Sequence, residues 1–180
     1  MGSFPSKMSK NFTFNAMTIT KRQDLQEYNR SLVTPELYKT GVVLCETILE
    51  PIIRHFGKSM IISSGYRCTK LNNIVGGVSG SQHPGFEAAD FAIPGIRLAD
   101  IFEYIGTSNL NFGQCILEPG WIHVSLGYPY RKSDSCGQTY IYDGYKYTVK
   151  NFPKKAGNGI SIIVVGIVAT IIIKYIILRR

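Results

Sequence analysis

The chain has 180 residues, 44% of them hydrophobic and 18% charged, which suits one folded domain with or without a tail and excludes a disordered or coiled-coil class. Its formal net charge is +8, but every acidic residue lies at or before Asp143 while Lys174, Arg179 and Arg180 close the chain, so the body is only mildly basic. That charge suits any polyanion, an anionic membrane or cell wall included, and no Lys/Arg-rich run or aromatic–basic ladder singles out nucleic acid.

The start, residues 1–10, is expected to be a flexible lead-in. It carries no apolar run of the secretory kind. Met1-Gly2-Ser3-Phe4-Pro5-Ser6 matches the N-myristoylation pattern with Gly2 as acceptor, a short pattern that also arises by chance. Residues up to Val33 give no clear element. Thr34-Pro35 then reads as a helix cap followed by proline at the first helical position. Leu37, Val43, Leu44, Ile48, Leu49, Ile52 and Phe56 recur at helical spacing, Gly57 stops the helix, and Pro51 is expected to kink it.

Met60-Ile61-Ile62-Ser63 reads as a short buried strand, and Arg97–Ile105 as a second helix. Ala88–Ile93 alternates, with Ala88, Asp90 and Ala92 on one face and Ala89, Phe91 and Ile93 on the other. In Trp121–Leu126, Trp121, His123 and Ser125 share a face, while Ile122, Val124 and Leu126 point to the core. Asp143-Gly144 between β-rich flanks marks a tight hairpin. The class is α+β, with a central antiparallel sheet.

The end of the chain is uncharged from Ala156 to Ile173, and the apolar stretch Ile160–Leu178 would make a helix roughly 28 Å long, close to the hydrocarbon thickness of a bilayer. Apolar residues surround its whole axis, which argues against a core helix with a polar face. One C-terminal transmembrane helix at 160–178 is therefore expected, joined by a linker at 151–159 to a domain at 11–150. Lys154 and Lys155 flank one side and Lys174, Arg179 and Arg180 the other, so the positive-inside rule leans only slightly to a cytoplasmic C-terminus. The side of the membrane holding the domain stays open.

Cys45, Cys68, Cys115 and Cys136 form no C-x-x-C pair, so a thiolate zinc knuckle is not expected. Cys45 sits in the apolar helical run, where a buried free thiol is the default. Of the three histidines, His55 at a helix end reads as structural. His83 stands in a polar, glycine-rich loop, Asp90 follows on a strand with small neighbours, and His123 lies on a polar strand face. Two imidazoles and a carboxylate suit catalytic zinc with a fourth position open to water. The spacing alone equally suits unrelated surface residues.

The surrounding words add to it. Ser64-Gly65-Tyr66-Arg67-Cys68, Leu71-Asn72, Val75-Gly76-Gly77, Ser81-Gln82-His83, Ala88-Ala89-Asp90 and Trp121-Ile122-His123-Val124-Ser125 occur in a fixed order. Over about residues 11–127 the chain resembles the zinc D-alanyl-D-alanine carboxypeptidase family, in particular its phage-endolysin-like branch. The resemblance implies the compact hedgehog/DD-peptidase fold and Zn2+ held by His83, Asp90 and His123. It implies that Arg67 holds a substrate carboxylate or polarises the scissile carbonyl. It also implies an acid a few residues before the last ligand, which makes Glu118 the candidate general base, with Glu87 as rival.

One departure stands out. The family has glycine three residues after its first histidine, whereas this chain has Phe86 there. Because phenylalanine tolerates positive φ poorly, a different turn is expected, which would displace His83 and weaken the site. The function expected is a membrane-anchored zinc metallopeptidase that cleaves peptide bonds of peptidoglycan through a zinc-bound water, as a D-Ala-D-Ala carboxypeptidase or endolysin. Its partners would be a short peptidoglycan peptide and a lipid bilayer, and its setting a virus or phage. The alternative is an inactive, membrane-tethered binding module with the same fold.

Overall fold

The computed structural model describes residues 4–130, 132 and 135–153. The linker beyond residue 153, the membrane helix expected at 160–178 and the acceptor Gly2 lie outside the described residues. Among the described residues, no helix is long and apolar enough to cross a membrane.

Two short helices, α1 (Phe14–Met17) and α2 (Gln26–Ser31), precede α3 (Pro35–Leu44). Thr34 caps α3 as expected, its hydroxyl accepting from the backbone N–H of Leu37 at 3.3 Å. The kink expected at Pro51 takes the form of a π-helical turn, Cys45–Leu49, after which α4 (Glu50–Phe56) continues. Proline lacks the donor for the carbonyl four residues back and its ring crowds it, so a widened turn just before it absorbs the mismatch. Gly57 ends α4 in the left-handed region at φ 63.

The N-terminal boundary drawn at residue 11 is not a break in packing. Phe4 stacks on Tyr38 with ring centroids 4.8 Å apart, and the Tyr38 hydroxyl reaches the carbonyls of Pro5 and Lys7. Met8 and Phe12 belong to the hydrophobic core.

The sheet is β1 (Ile61–Ser64), β2 (Ala88–Ala92), β3 (Phe112–Leu117), β4 (Ile122–Leu126), β5 (Gln138–Tyr142) and β6 (Tyr147–Val149), in the order β1-β2-β4-β3-β5-β6. The first four strands of that order are antiparallel, as expected, but β5 runs parallel to β3, so the sheet is mixed. β4 already has β2 and β3 on its two edges, so β5 pairs instead at the far edge of β3, where the parallel direction is open to it. The β5–β6 hairpin forms around Asp143-Gly144, closed by the N–H of Asp143 donating to Lys146 O.

β1 is an edge strand with Ile61 60% exposed, so it is half-buried rather than buried. α5 (Thr69–Ile74) follows it, and α6 (Leu98–Thr107) realises the helix expected at Arg97–Ile105. Leu44, Cys45, Ile48, Leu49 and Ile52 of the long helix join Ala89, Phe91, Ile122 and Val124 of the sheet in one core. Each large apolar side chain so buried contributes roughly 1.5–3 kcal/mol. Beyond β6, Phe152 lies over Gly106 of α6 and packs edge-on against Phe102 at 5.2 Å. That approach leaves no room for a Cβ at Gly106.

Candidate metal centre

One face of the sheet packs on the core and leaves the other for chemistry. Asp90 pairs with His123 across β2 and β4, and directly opposed residues share a face. The neighbours of Asp90 on that face, Ala88 and Ala92, are small and leave space. His83 arrives from a single 3-10 turn, His83–Gly85, just before β2. His83, Asp90 and His123 are all buried, and their ligand atoms lie within 4.8 Å of one another.

The donor chemistry calls for a cation. His83 Nδ1 lies 2.6 Å from Gly65 O, a pure acceptor, so Nδ1–H donates and Nε2 carries the lone pair. That Nε2 lies 3.2 Å from Asp90 Oδ1 and 3.3 Å from His123 Nδ1, while His123 Nδ1 lies 2.8 Å from the same oxygen. One hydrogen on His123 Nδ1 can satisfy only one of these contacts, leaving Nε2 and Oδ1 lone pair to lone pair. Protonating His83 is opposed chiefly by its burial, which lowers its pKa against the pull of Asp90. A tetrahedral ion with bonds of about 2.0–2.1 Å spaces its ligand atoms about 3.3 Å apart; two of the three separations, 3.2 and 3.3 Å, match that and the third, 2.8 Å, is shorter. The three residues therefore fit a small divalent cation with a fourth position open.

The cluster opens into a cleft of about 740 Å³ that Arg67 and Glu118 also line. Arg67 Nη1 lies 3.5 Å from Asp90 Oδ2, and its buried Nε has no hydrogen-bond partner. The guanidinium thus stands in the cleft wall beside Asp90. Burial lowers its pKa and Asp90 opposes the shift. Glu118 follows β3 directly, and its N–H donates to Trp121 O across the turn, which puts it on the His123 face. Burial raises its pKa, His123 opposes this, and Asp90 adds to it. Glu87, the rival, does not line this cleft but a neighbouring one with Ser81 and Lys132. His55 stacks on Tyr104 at 3.7 Å, within the helical layer.

Phe86 overturns the expectation drawn from the altered loop. It adopts the left-handed conformation itself, φ 57 and ψ 25, and among described residues is the one non-glycine with positive φ. Left-handed backbone costs such a residue roughly 1–2 kcal/mol. The ring recovers this by complete burial beside Tyr66, over Gly41, where a Cβ would sit 3.0 Å from it. The turn survives, and the three ligand side chains converge.

Two contributions escaped the sequence reading. Asn29, fully buried on α2, accepts from Cys68 N at 2.7 Å and donates to Tyr66 O at 3.0 Å, bracketing Arg67. It lies in a stretch without periodicity, and nothing local marks it. Tyr140, Tyr142 and Tyr147 of the hairpin line the cleft as well. The hairpin around Asp143-Gly144 was legible, but not the parallel pairing that brings its tyrosines to the cleft.

Lone pairs that require a cation, reached from solvent through a cleft that also holds a carboxylate and a guanidinium, are the equipment of a metal-dependent hydrolase. Comparison with known families agrees: residues 10–125 match Peptidase M15, and the chain belongs to that family. This bears out the resemblance to the zinc D-alanyl-D-alanine carboxypeptidases. No curated protein matches the chain. The four cysteines are free thiols, three of them buried.

Proposed function

We propose that the protein is a zinc peptidase that hydrolyses peptide bonds in peptidoglycan and is held to a membrane by its C-terminal segment. The observation that carries the peptidase reading is the convergence of His83, Asp90 and His123 beside Glu118 in one cleft. Bound by those three residues, zinc supplies Lewis-acid chemistry, polarising a carbonyl and acidifying a coordinated water.

The chain's own groups do the rest. Glu118, whose pKa is raised mainly by burial, takes a proton from the attacking water and gives it to the leaving amine as the C–N bond breaks. Arg67, which lines the cleft, offers its guanidinium to a substrate carboxylate or to the oxygen that gains charge. The mildly basic body and the apolar run at 160–178 support an anionic wall substrate and a bilayer anchor. The binding-module alternative draws on the altered ligand loop, and the convergence of His83 with Asp90 and His123 favours the peptidase reading over it.

Turnover of cross-linked muropeptides by the zinc-loaded chain is the test. Cleavage that disappears in Glu118→Gln with zinc still bound is the expected result. Full activity of Glu118→Gln refutes its role, and no cleavage of any muropeptide refutes the substrate.

A further inference from the structure

The row of paired residues that carries Asp90 and His123 continues beyond them. Ile116 pairs with His123 on one side and with Tyr140 on the other, and Tyr140 pairs with Val149. Direct partners share a face, so Tyr140 stands on the face of the ligands. Alternation along β5 adds Tyr142, whose partner across the hairpin is Tyr147. Tyr142 and Tyr147 stack at 4.5 Å, and Tyr140 meets Tyr147 edge-on at 6.4 Å. These three rings and Trp121 line the same cleft as the ligands. Tyr147 is 55% and Trp121 40% exposed. The hairpin begins at Gln138, beyond the residues that match the family.

Among the described residues that line the cleft, the charged and titrating ones other than tyrosine are Arg67, Asp90, Glu118, His83 and His123, all in the site already described. The rest of the lining offers rings, Val75, Val78 and neutral polar groups. A negatively charged substrate side chain laid on those rings, beside Glu118, would lose water without gaining a partner. An apolar one gains by covering them. Two strand spacings, about 10 Å, separate β5 from β4, a distance that an extended peptide covers in about three residues.

We infer that the β5–β6 hairpin is a specificity wall: Tyr140, Tyr142 and Tyr147, with Trp121, receive an apolar side chain of a peptide substrate two to three residues from the bond that is cut. The inference rests on the peptidase reading and extends it to the kind of peptide taken. It places the substrate's side chain on the sheet face of Asp90 and His123, with Tyr140 in their row and Tyr142 and Tyr147 in the next, so binding and cleavage share one face.

Trp121 is the chain's single tryptophan, so its fluorescence reports occupancy of the cleft without turnover. The probes are alanine hexapeptides with one leucine or one glutamate at each position in turn. They are titrated into the full chain with zinc and read by fluorescence and calorimetry, and cleavage is scored separately by mass. Leucine at one position, two or three residues from the cut, is expected to bind at least tenfold tighter than glutamate there. Tyr142→Ala and Tyr147→Ala should each reduce that preference, and the double variant should abolish it. Tyr147→Phe keeps it, as does Tyr145→Ala at the 95% exposed hairpin tip. Equal affinity for leucine and glutamate peptides, no binding of any peptide, or a preference intact in the double variant with native circular dichroism overturns the wall. If the double variant unfolds, the single variants decide. Position-dependent binding without cleavage of these hexapeptides or of cross-linked muropeptides leaves the wall standing and refutes the peptidase reading instead.

Discussion

His83 Nδ1 donates to the carbonyl of Gly65 at 2.6 Å, so the first candidate ligand is oriented by the segment that carries Arg67. The neighbouring amide ties that segment down further, since Tyr66 N donates to Met17 O at 2.8 Å. Space there is nil: a Cβ on Gly65 would sit 2.2 Å from Met17 O. Gly65→Ala must therefore move the carbonyl away from His83. Loss of such an orienting bond typically weakens metal binding 10–100-fold. Zinc titration against a competing chelator should show a loss of that order in Gly65→Ala and no stoichiometric zinc in His83→Ala. Wild-type zinc affinity in Gly65→Ala would mean that the carbonyl does not orient the ligand.

Asn29 secures the other side of Arg67. Its carboxamide uses both ends on buried backbone, accepting from Cys68 N and donating to Tyr66 O and, at 3.4 Å, Thr18 O. Asn29→Asp exchanges the donor for an acceptor that faces two carbonyls. Leaving buried groups unpaired costs about 1–3 kcal/mol each, and urea unfolding should show a loss in that range. Because the Tyr66 side of Arg67 loses its donor while Cys68 N keeps its acceptor, kcat/KM should fall beyond what the unfolded fraction explains. A variant as stable as wild type would show that water or a neighbour takes over both bonds.

Phe86 sets up an inversion of the usual order of substitutions. Phe86→Ala keeps the left-handed strain and loses the packing, with an expected cost of about 3–5 kcal/mol. Phe86→Gly loses the same packing but is at ease with positive φ, so it should be the more stable of the two by about 1 kcal/mol. Thermal or urea unfolding of both variants checks the order. Alanine proving the more stable would mean that the strain at φ 57 is not felt.

Phe86 also shows where sequence reasoning stopped. The residues converging at the site were legible because ordered words surround them and strand alternation places Asp90 and His123 on one face. Helix limits at Thr34 and Gly57 were legible because caps are local. What was not legible depends on distant partners. That Phe86 accepts positive φ follows from Gly41 and Tyr66, far away in the chain. The parallel pairing of β5 with β3 depends on both edges of β4 being taken by β2 and β3, which no periodicity records. Asn29 had no signal because a buried amide serving backbone looks, in sequence, like any polar helix residue.

Glu50 gives the fold a pH dependence whose sign can be worked out. This buried carboxylate accepts from Ser9 Oγ and Asn11 N on one oxygen and from Asn11 Nδ2 on the other, each at 2.7 Å. Burial by itself raises its pKa, but the bonds from Ser9 and Asn11 outweigh it, and the folded value lies below the ordinary 4.5. A depressed folded pKa stabilises fully above the unfolded value and is lost as pH falls through the folded one. Wild-type stability should thus be level in this respect at neutral pH and decline below about pH 4.5. In Glu50→Gln the charge-assisted bonds are gone at every pH, at a cost of about 1.5–3 kcal/mol near pH 7. The gap between wild type and variant should therefore narrow on acidification. Urea unfolding of both proteins at pH 7 and pH 4 measures it, and a gap that stays constant would place the Glu50 contribution in shape rather than charge. Because Glu50 fastens the segment that delivers Met8 and Phe12 to the core, and Met8 shares the Gly41 notch with Phe86, release of that segment should loosen the packing behind the ligand loop as well.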